Sequence, residues 1–299
     1  MASPLSRWPS SGTDVRLEVG AGAGENCVAV WRVAWYTPSM RSPLAFPELL
    51  RFIDERSVAF RDAISTSPGL EAVVPTCPGW TVLDLGRHLG SVHRRWAMIV
   101  AEGPSGGGRE DEASLDPARL PSDREALLSW SAESTAELLS ALDDSGPDTG
   151  CWTWWGDSQS PQTSGAVARH QLVEAAVHTY DAQVSATAGQ PVPPTVALEG
   201  IAEFLSTSCS STAAWPHDPA TVDFLADEGA AWRLSLSAEG ARVRPRDQVV
   251  APSHGVYASL RGGASDVLLA LYGRVDLYSL PSHGDRHVFS QLVEWEPDA

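Results

Sequence analysis

From residue 45 to about residue 205 apolar residues recur three and four apart, and beyond residue 219 that period is lost. A stripe of that period buries one face only when wound as a helix. The chain must therefore open as packed helices and close as something of shorter period. Phe46, Leu49, Leu50, Ile53, Phe60 and Ile64 form the first stripe; Pro47 suits its first turn and Pro68-Gly69 ends it. A second helix starts at Thr81, where Thr81 and Asp84 resemble a capping box, and buries Leu85, His88, Leu89, Val92, Trp96 and Ile99. Ser122 and Glu125 form another such box, ahead of a third helix carrying Leu127, Trp130, Leu138 and Leu142. A fourth runs from about Ser164 to Ala188, and Pro191, Pro193 and Pro194 separate it from a fifth over Thr195–Leu205.

Four long helices joined by loops predict a helix bundle over 40–215. Val222–Leu225, Trp232–Ser237 and Ala241–Arg244 then read as short strands, with turns at Asp227-Glu228-Gly229 and Ala238-Glu239-Gly240. Helices are expected at Ser265–Tyr272 and Arg286–Trp295, so 216–299 is a small α+β domain and the whole is mainly α, α+β overall. Residues 1–39, rich in Ser and Gly, fit neither pattern; they read as an extension, with Met40 an alternative start.

Composition removes several functions. The chain has 299 residues, 43% hydrophobic and 20% charged, which is the balance of a globular protein. Its 38 acidic and 21 basic residues give a net charge of −17, which disfavours nucleic acid and anionic lipid as partners. Every basic residue is arginine, so lysine Schiff-base chemistry and a phosphate-binding P-loop are excluded. Cys27, Cys77, Cys151 and Cys209 form no C-x-x-C pair, and with no secretory signal the expected location is a reducing cytoplasm.

The fourth helix holds the chemistry. Glu174 and His178 share a face one turn apart, and Asp181 continues it. A carboxylate and an imidazole so placed can grip one divalent metal, and His88, inward on the second helix, could be a third ligand, leaving an open position. E-x-x-x-H also arises by chance, and a lone inward His is as readily a satisfied core residue. His170, one turn before Glu174, could compete as a ligand or orient Glu174. Cys77, in the turn Thr76-Cys77-Pro78-Gly79-Trp80-Thr81, could be a catalytic thiol but reads better as a packing residue, and Trp152, Trp154 and Trp155 could line a pocket but read better as a cap on the bundle. His93, His217, His254, His283 and His287 default to solvated or structural roles.

These segments resemble a known family. Val74-Pro-Thr-Cys-Pro-Gly-Trp-Thr-Val-Leu-Asp-Leu-Gly-Arg-His88-Leu-Gly is similar to the N-terminal signature of mycothiol-dependent maleylpyruvate isomerases. Val173-Glu174-Ala-Ala-Val-His178-Thr-Tyr-Asp181-Ala resembles the second signature, and Leu198-Glu-Gly-Ile-Ala-Glu203-Phe-Leu a third. Leu271-Tyr-Gly-Arg274 and Gly284-Asp285 are similar to the C-terminal domain.

The resemblance implies a DinB-like four-helix bundle that holds a divalent metal, usually zinc, on the positions of His88, Glu174 and His178. It implies mycothiol, a thiol-bearing pseudodisaccharide of actinobacteria, as cosubstrate, and a thiolate that attacks a small electrophile. A dicarboxylate electrophile needs cations: Arg274 leads, and Arg169, for substrate or cosubstrate, and Arg87 are weaker candidates that could instead form surface or interdomain ion pairs, above all Arg87. Asp181 is a catalytic candidate that would orient His178 or a helix neighbour. The family's usual His before the ligand Glu is Val173 here, and its usual Arg-Trp after the last ligand is Thr179-Tyr180. The readings are an isomerase, a mycothiol S-transferase, a metal-dependent hydrolase and a non-catalytic ligand-binding module, as a monomer or small homo-oligomer.

Overall fold

The computed structural model describes residues 44–108, 120–246 and 255–295. The extension at 1–39 and Met40 lie outside the described residues, as do the larger part of the expected 103–121 loop and Cys27.

Five helices come first: α1 Phe46–Thr66, α2 Val82–Glu102, α3 Arg124–Ser145, α4 Ser164–Ala186 and α5 Pro194–Thr207. Pro47 occupies the first turn of α1, and Ser67 ends it in an extended conformation, as a residue before Pro68 prefers. The Thr81–Asp84 capping box of α2 is formed in both directions. The third helix is capped one residue later than the Ser122 box implies: Asp123 accepts from the Ala126 amide, its carboxylate being the stronger acceptor for an orphan N–H.

Helix α4 is buried on nearly every side, which is why its apolar residues fill more than one stripe. It packs along α1 and against α2 and α5, and its inward-facing residues meet side chains from each. Among the described residues no helix is long and apolar enough to cross a membrane.

Five strands follow: β1 Ala220–Ala226, β2 Ala231–Ser237, β3 Gly240–Pro245, β4 Val256–Gly262 and β5 Ser282–Gly284, in the order β3-β2-β1-β4-β5. β1 and β4 are parallel and the other neighbours antiparallel. Gly240, at φ 106°, makes the β2–β3 turn, a conformation that side chains disfavour. Helices α6 Ala264–Leu271 and α7 His287–Glu294 pack on the sheet, and α5 packs on α6. One continuous core therefore runs from α4 through α5 into the sheet. At its middle a Cβ on Gly200 would stand 2.9 Å from Leu268 of α6 and 3.3 Å from Val173 of α4. A glycine there lets the three helices close up.

Candidate active site

Two segments meet over the second half of α4. The turn before α2 is closed by bonds from the Val74 amide to the Trp80 carbonyl and from the Trp80 amide to the Cys77 carbonyl, with Gly79 at φ 83°. This holds Thr76 and Cys77 against α4 and launches α2 so that His88, two turns in, reaches the same place. The Trp80 ring packs 4.7 Å from that of His88 and stacks at 6.4 Å on that of His178.

His88 Nε2 lies 4.0 Å from Glu174 Oε2, and His178 Nε2 lies 3.5 Å from that same oxygen. One donor atom from each of the three falls within 4.8 Å of the other two. His178 Nδ1 is 2.8 Å from Asp181 Oδ2. A carboxylate can only accept, so Nδ1 donates its proton to Asp181, and Nε2 is the nitrogen that faces Glu174 and His88 and would carry a metal. Two imidazole nitrogens and one carboxylate oxygen, converging with the tautomer already fixed, are a donor set that fits a divalent metal such as zinc. The His88 side chain is 35% exposed and that of His178 9%, so the group opens to solvent on the α2 side.

Asp181 is fully buried and receives five hydrogen bonds. Thr76 Oγ1 donates to it at 2.6 Å, Cys77 Sγ at 3.3 Å, His178 Nδ1 at 2.8 Å, and Arg274 through Nε at 3.1 Å and Nη2 at 2.8 Å. Burial pushes its carboxyl up, but the His178 hydrogen bond and the Arg274 guanidinium more than reverse this, holding it well below the usual carboxylate range. Glu174 follows the same logic: burial raises it, and bonding to His178 with the charges of three imidazoles lowers it further than burial raises it. Cys77, His178 and Asp181 form a second close group. A metal has no place there, because the Arg274 guanidinium already stands 2.8 Å from Asp181 and 3.5 Å from the Cys77 sulfur as the cation.

The expected trio His88, Glu174 and His178 is thus brought together, and Asp181 meets His178. Arg274, from the turn after α6, reaches the site across the core, yet it spends Nε and Nη2 on Asp181 and Nη1 on the Tyr272 carbonyl. Arg169 does not join the group: it pairs with Glu199 of α5 at 2.6 Å, and that carboxylate also accepts from the Leu44 amide. Arg87 donates to the Pro121 carbonyl. His170 lies outside the trio, its Nδ1 3.0 Å from Glu203, amid Trp96, Trp154 and Trp155 with ring centroids at 5.9, 5.9 and 5.2 Å. Burial pulls His170 down, and the charge and hydrogen bond of Glu203 lift its pKa above the ordinary value.

Cys77 is more than a packing residue, since its thiol touches the site's central carboxylate. Thr76 and Trp80 were also not singled out. The turn that holds them was conspicuous in sequence, but nothing in its spacing pointed to an aspartate about a hundred positions on.

The family model described as the mycothiol maleylpyruvate isomerase N-terminal domain matches residues 50–183. The corresponding C-terminal domain model matches 195–291. The junction between the two matches falls ahead of α5, which packs on α6; the change of periodicity in sequence comes later, at about residue 219. The structure is similar to two crystal structures of the mycothiol-dependent maleylpyruvate isomerase, one of a His-to-Ala mutant. Each is 15% identical and covers 80% of this chain and 93% of the other, with TM-scores of 0.53 and 0.52. No curated protein matches the sequence. The shared fold is mainly α with an α+β C-terminal part.

Proposed function

Since the chain belongs to the mycothiol-dependent maleylpyruvate isomerase family, we propose that it is a metal-dependent, mycothiol-using enzyme acting on a small electrophile, with His88, Glu174 and His178 as metal ligands. The observation that carries this reading is the convergence of those three donor atoms with the remaining His178 nitrogen held by Asp181. A bound divalent metal would supply Lewis acidity that favours the thiolate form of a thiol at the open side of the site.

The chain's own residues do the rest. Asp181 keeps His178 in one tautomer and offsets the charge of Arg274. Trp80 packs against the rings of both His88 and His178 and limits their movement. Glu174 brings a negative charge among three histidines, which lowers the net charge of the loaded site. In the isomerase reaction the thiolate adds to a cis carbon–carbon double bond, the resulting single bond turns, and expulsion of the thiolate leaves the trans isomer. The thiol is regenerated, so none is consumed.

A second reading is a mycothiol S-transferase, in which the thioether is kept. The engagement of Arg274 favours it: with Nε and Nη2 both on Asp181, that guanidinium is not free to grip a dicarboxylate. One assay separates the two. The zinc-loaded protein is given mycothiol and maleylpyruvate, or a neutral electrophile such as an epoxide or haloalkane, and free thiol is followed with product. Turnover of maleylpyruvate at constant thiol supports the isomerase, and stoichiometric thiol loss the transferase. Failure of every electrophile with a fully loaded site would overturn both.

A further inference from the structure

Among the described residues the helices of the C-terminal part pack on one face of its sheet, and the β2–β3 half of the other face is basic in a chain whose net charge is −17. On β2 the inward residues Trp232, Leu234 and Leu236 are buried, which turns Arg233, Ser235 and Ser237 outward. On β3 the inward Ala241 and Val243 alternate with Arg242 and Arg244, and Arg246 continues the series. In the antiparallel register Arg233 stands opposite Arg244, and Ser235 opposite Arg242.

Like charges directly opposite one another destabilise a strand pair, so an unforced surface avoids them. Arg233 is neutralised, with Nε and Nη2 at 2.7 and 2.6 Å from the buried Asp223, to which Tyr257 also donates. Arg242 and Arg244 are exposed, as is Arg246, and none of the three has an ion-pair partner among the described residues. The serines between the arginines leave a hollow of about 510 Å³, and among the described residues Glu239 is the one acidic residue lining it. Among the described residues three exposed guanidiniums stand against one carboxylate, an excess of positive charge in forks that match phosphate or carboxylate oxygens in pairs.

We propose that this hollow is an anion site, separate from the candidate active site, for a compact small molecule carrying two or more negative charges. Its volume suits a metabolite, and the acidity of the rest of the chain repels an extended polyanion. The shared chemistry is a set of closely spaced anionic oxygens, from phosphate esters or from a polycarboxylate.

Calorimetric titration of the full chain at low ionic strength tests it, with fructose 1,6-bisphosphate and tricarballylate as separate probes. Wild type should bind one of them in the sub-millimolar range, and which one distinguishes phosphate from carboxylate. Arg242→Ser/Arg244→Ser should weaken that binding at least tenfold, and Arg246→Ser alone about threefold, should the double variant not fold. Arg51→Ser, which removes an exposed arginine paired with Glu55, should change nothing. No heat from either probe, or equal binding by wild type and the arginine variants, would overturn the proposal. So would binding of poly-glutamate alone, which would make the face a docking site for acidic polypeptide.

Discussion

Asp181 holds the Nδ1 proton of His178 at 2.8 Å, and the other nitrogen of that ring is thereby turned toward Glu174 and His88. The carboxylate is itself fixed by Thr76, Cys77 and Arg274. Orientation of the proposed ligand His178 is thus set by residues from three separate parts of the chain. Asp181→Asn removes the charge and can present its amide N–H to the ring instead. Metal affinity, read by competition with a chromogenic chelator, should fall about 10- to 100-fold, as when such outer partners are lost elsewhere. Unchanged affinity would show that His178 is oriented without Asp181.

Arg169 tests the difference between a binding and a structural arginine. Its partner Glu199 is largely buried and also accepts from Leu44. Arg169→Ala should lower stability by about 1 kcal/mol in urea unfolding and leave KM for any carboxylate substrate unchanged. A rise in KM without loss of stability would return Arg169 to the substrate.

The pair His170–Glu203 is buried among tryptophans, and breaking it from one side leaves a buried charge. Each of His170→Leu and Glu203→Leu should cost roughly 3 kcal/mol or more, and the double variant less than the sum of the two. Additive costs would show that the pair does not act as a unit.

His93 gives a pH dependence. Burial drives its pKa down to about 3, from an ordinary 6.5, so the folded chain keeps the ring neutral. A depressed histidine destabilises the fold on acidification: below pH 6.5 the unfolded chain takes up a proton that the folded chain refuses. From pH 7.5 to 5.5 this costs about 1.4 kcal/mol. His93→Leu cannot titrate there, so wild type should lose that much more stability than the variant over this range. Parallel losses would place the proton uptake elsewhere.

Much of this was legible in the sequence because it rests on local periodicity. The spacing puts Glu174 and His178 on one face of α4 and the Thr81–Asp84 box fixes where α2 starts, whereas His88, expected buried in the α2 stripe, is only half-buried because it sits at the open side of the site. Strands β1 to β3 alternate and carry glycine turns. Strand β5 spans only Ser282–Gly284, too short to show a period, and β4 was passed over beside it. The hub on Asp181 was hidden for another reason: Thr76, Cys77 and Arg274 reach it only through tertiary packing. A sequence does not say which carboxylate an arginine meets first, so it leaves Arg169 open between a substrate cation and the ion pair it forms with Glu199.

The central claim is that His88, Glu174 and His178 hold a metal, and plasma mass spectrometry of the purified chain tests it most directly. The account predicts about one zinc per chain in wild type and loss of it in His88→Ala and in Glu174→Ala/His178→Ala. A wild type that holds no metal and takes up none on addition of zinc would contradict it, as would full zinc content in either variant.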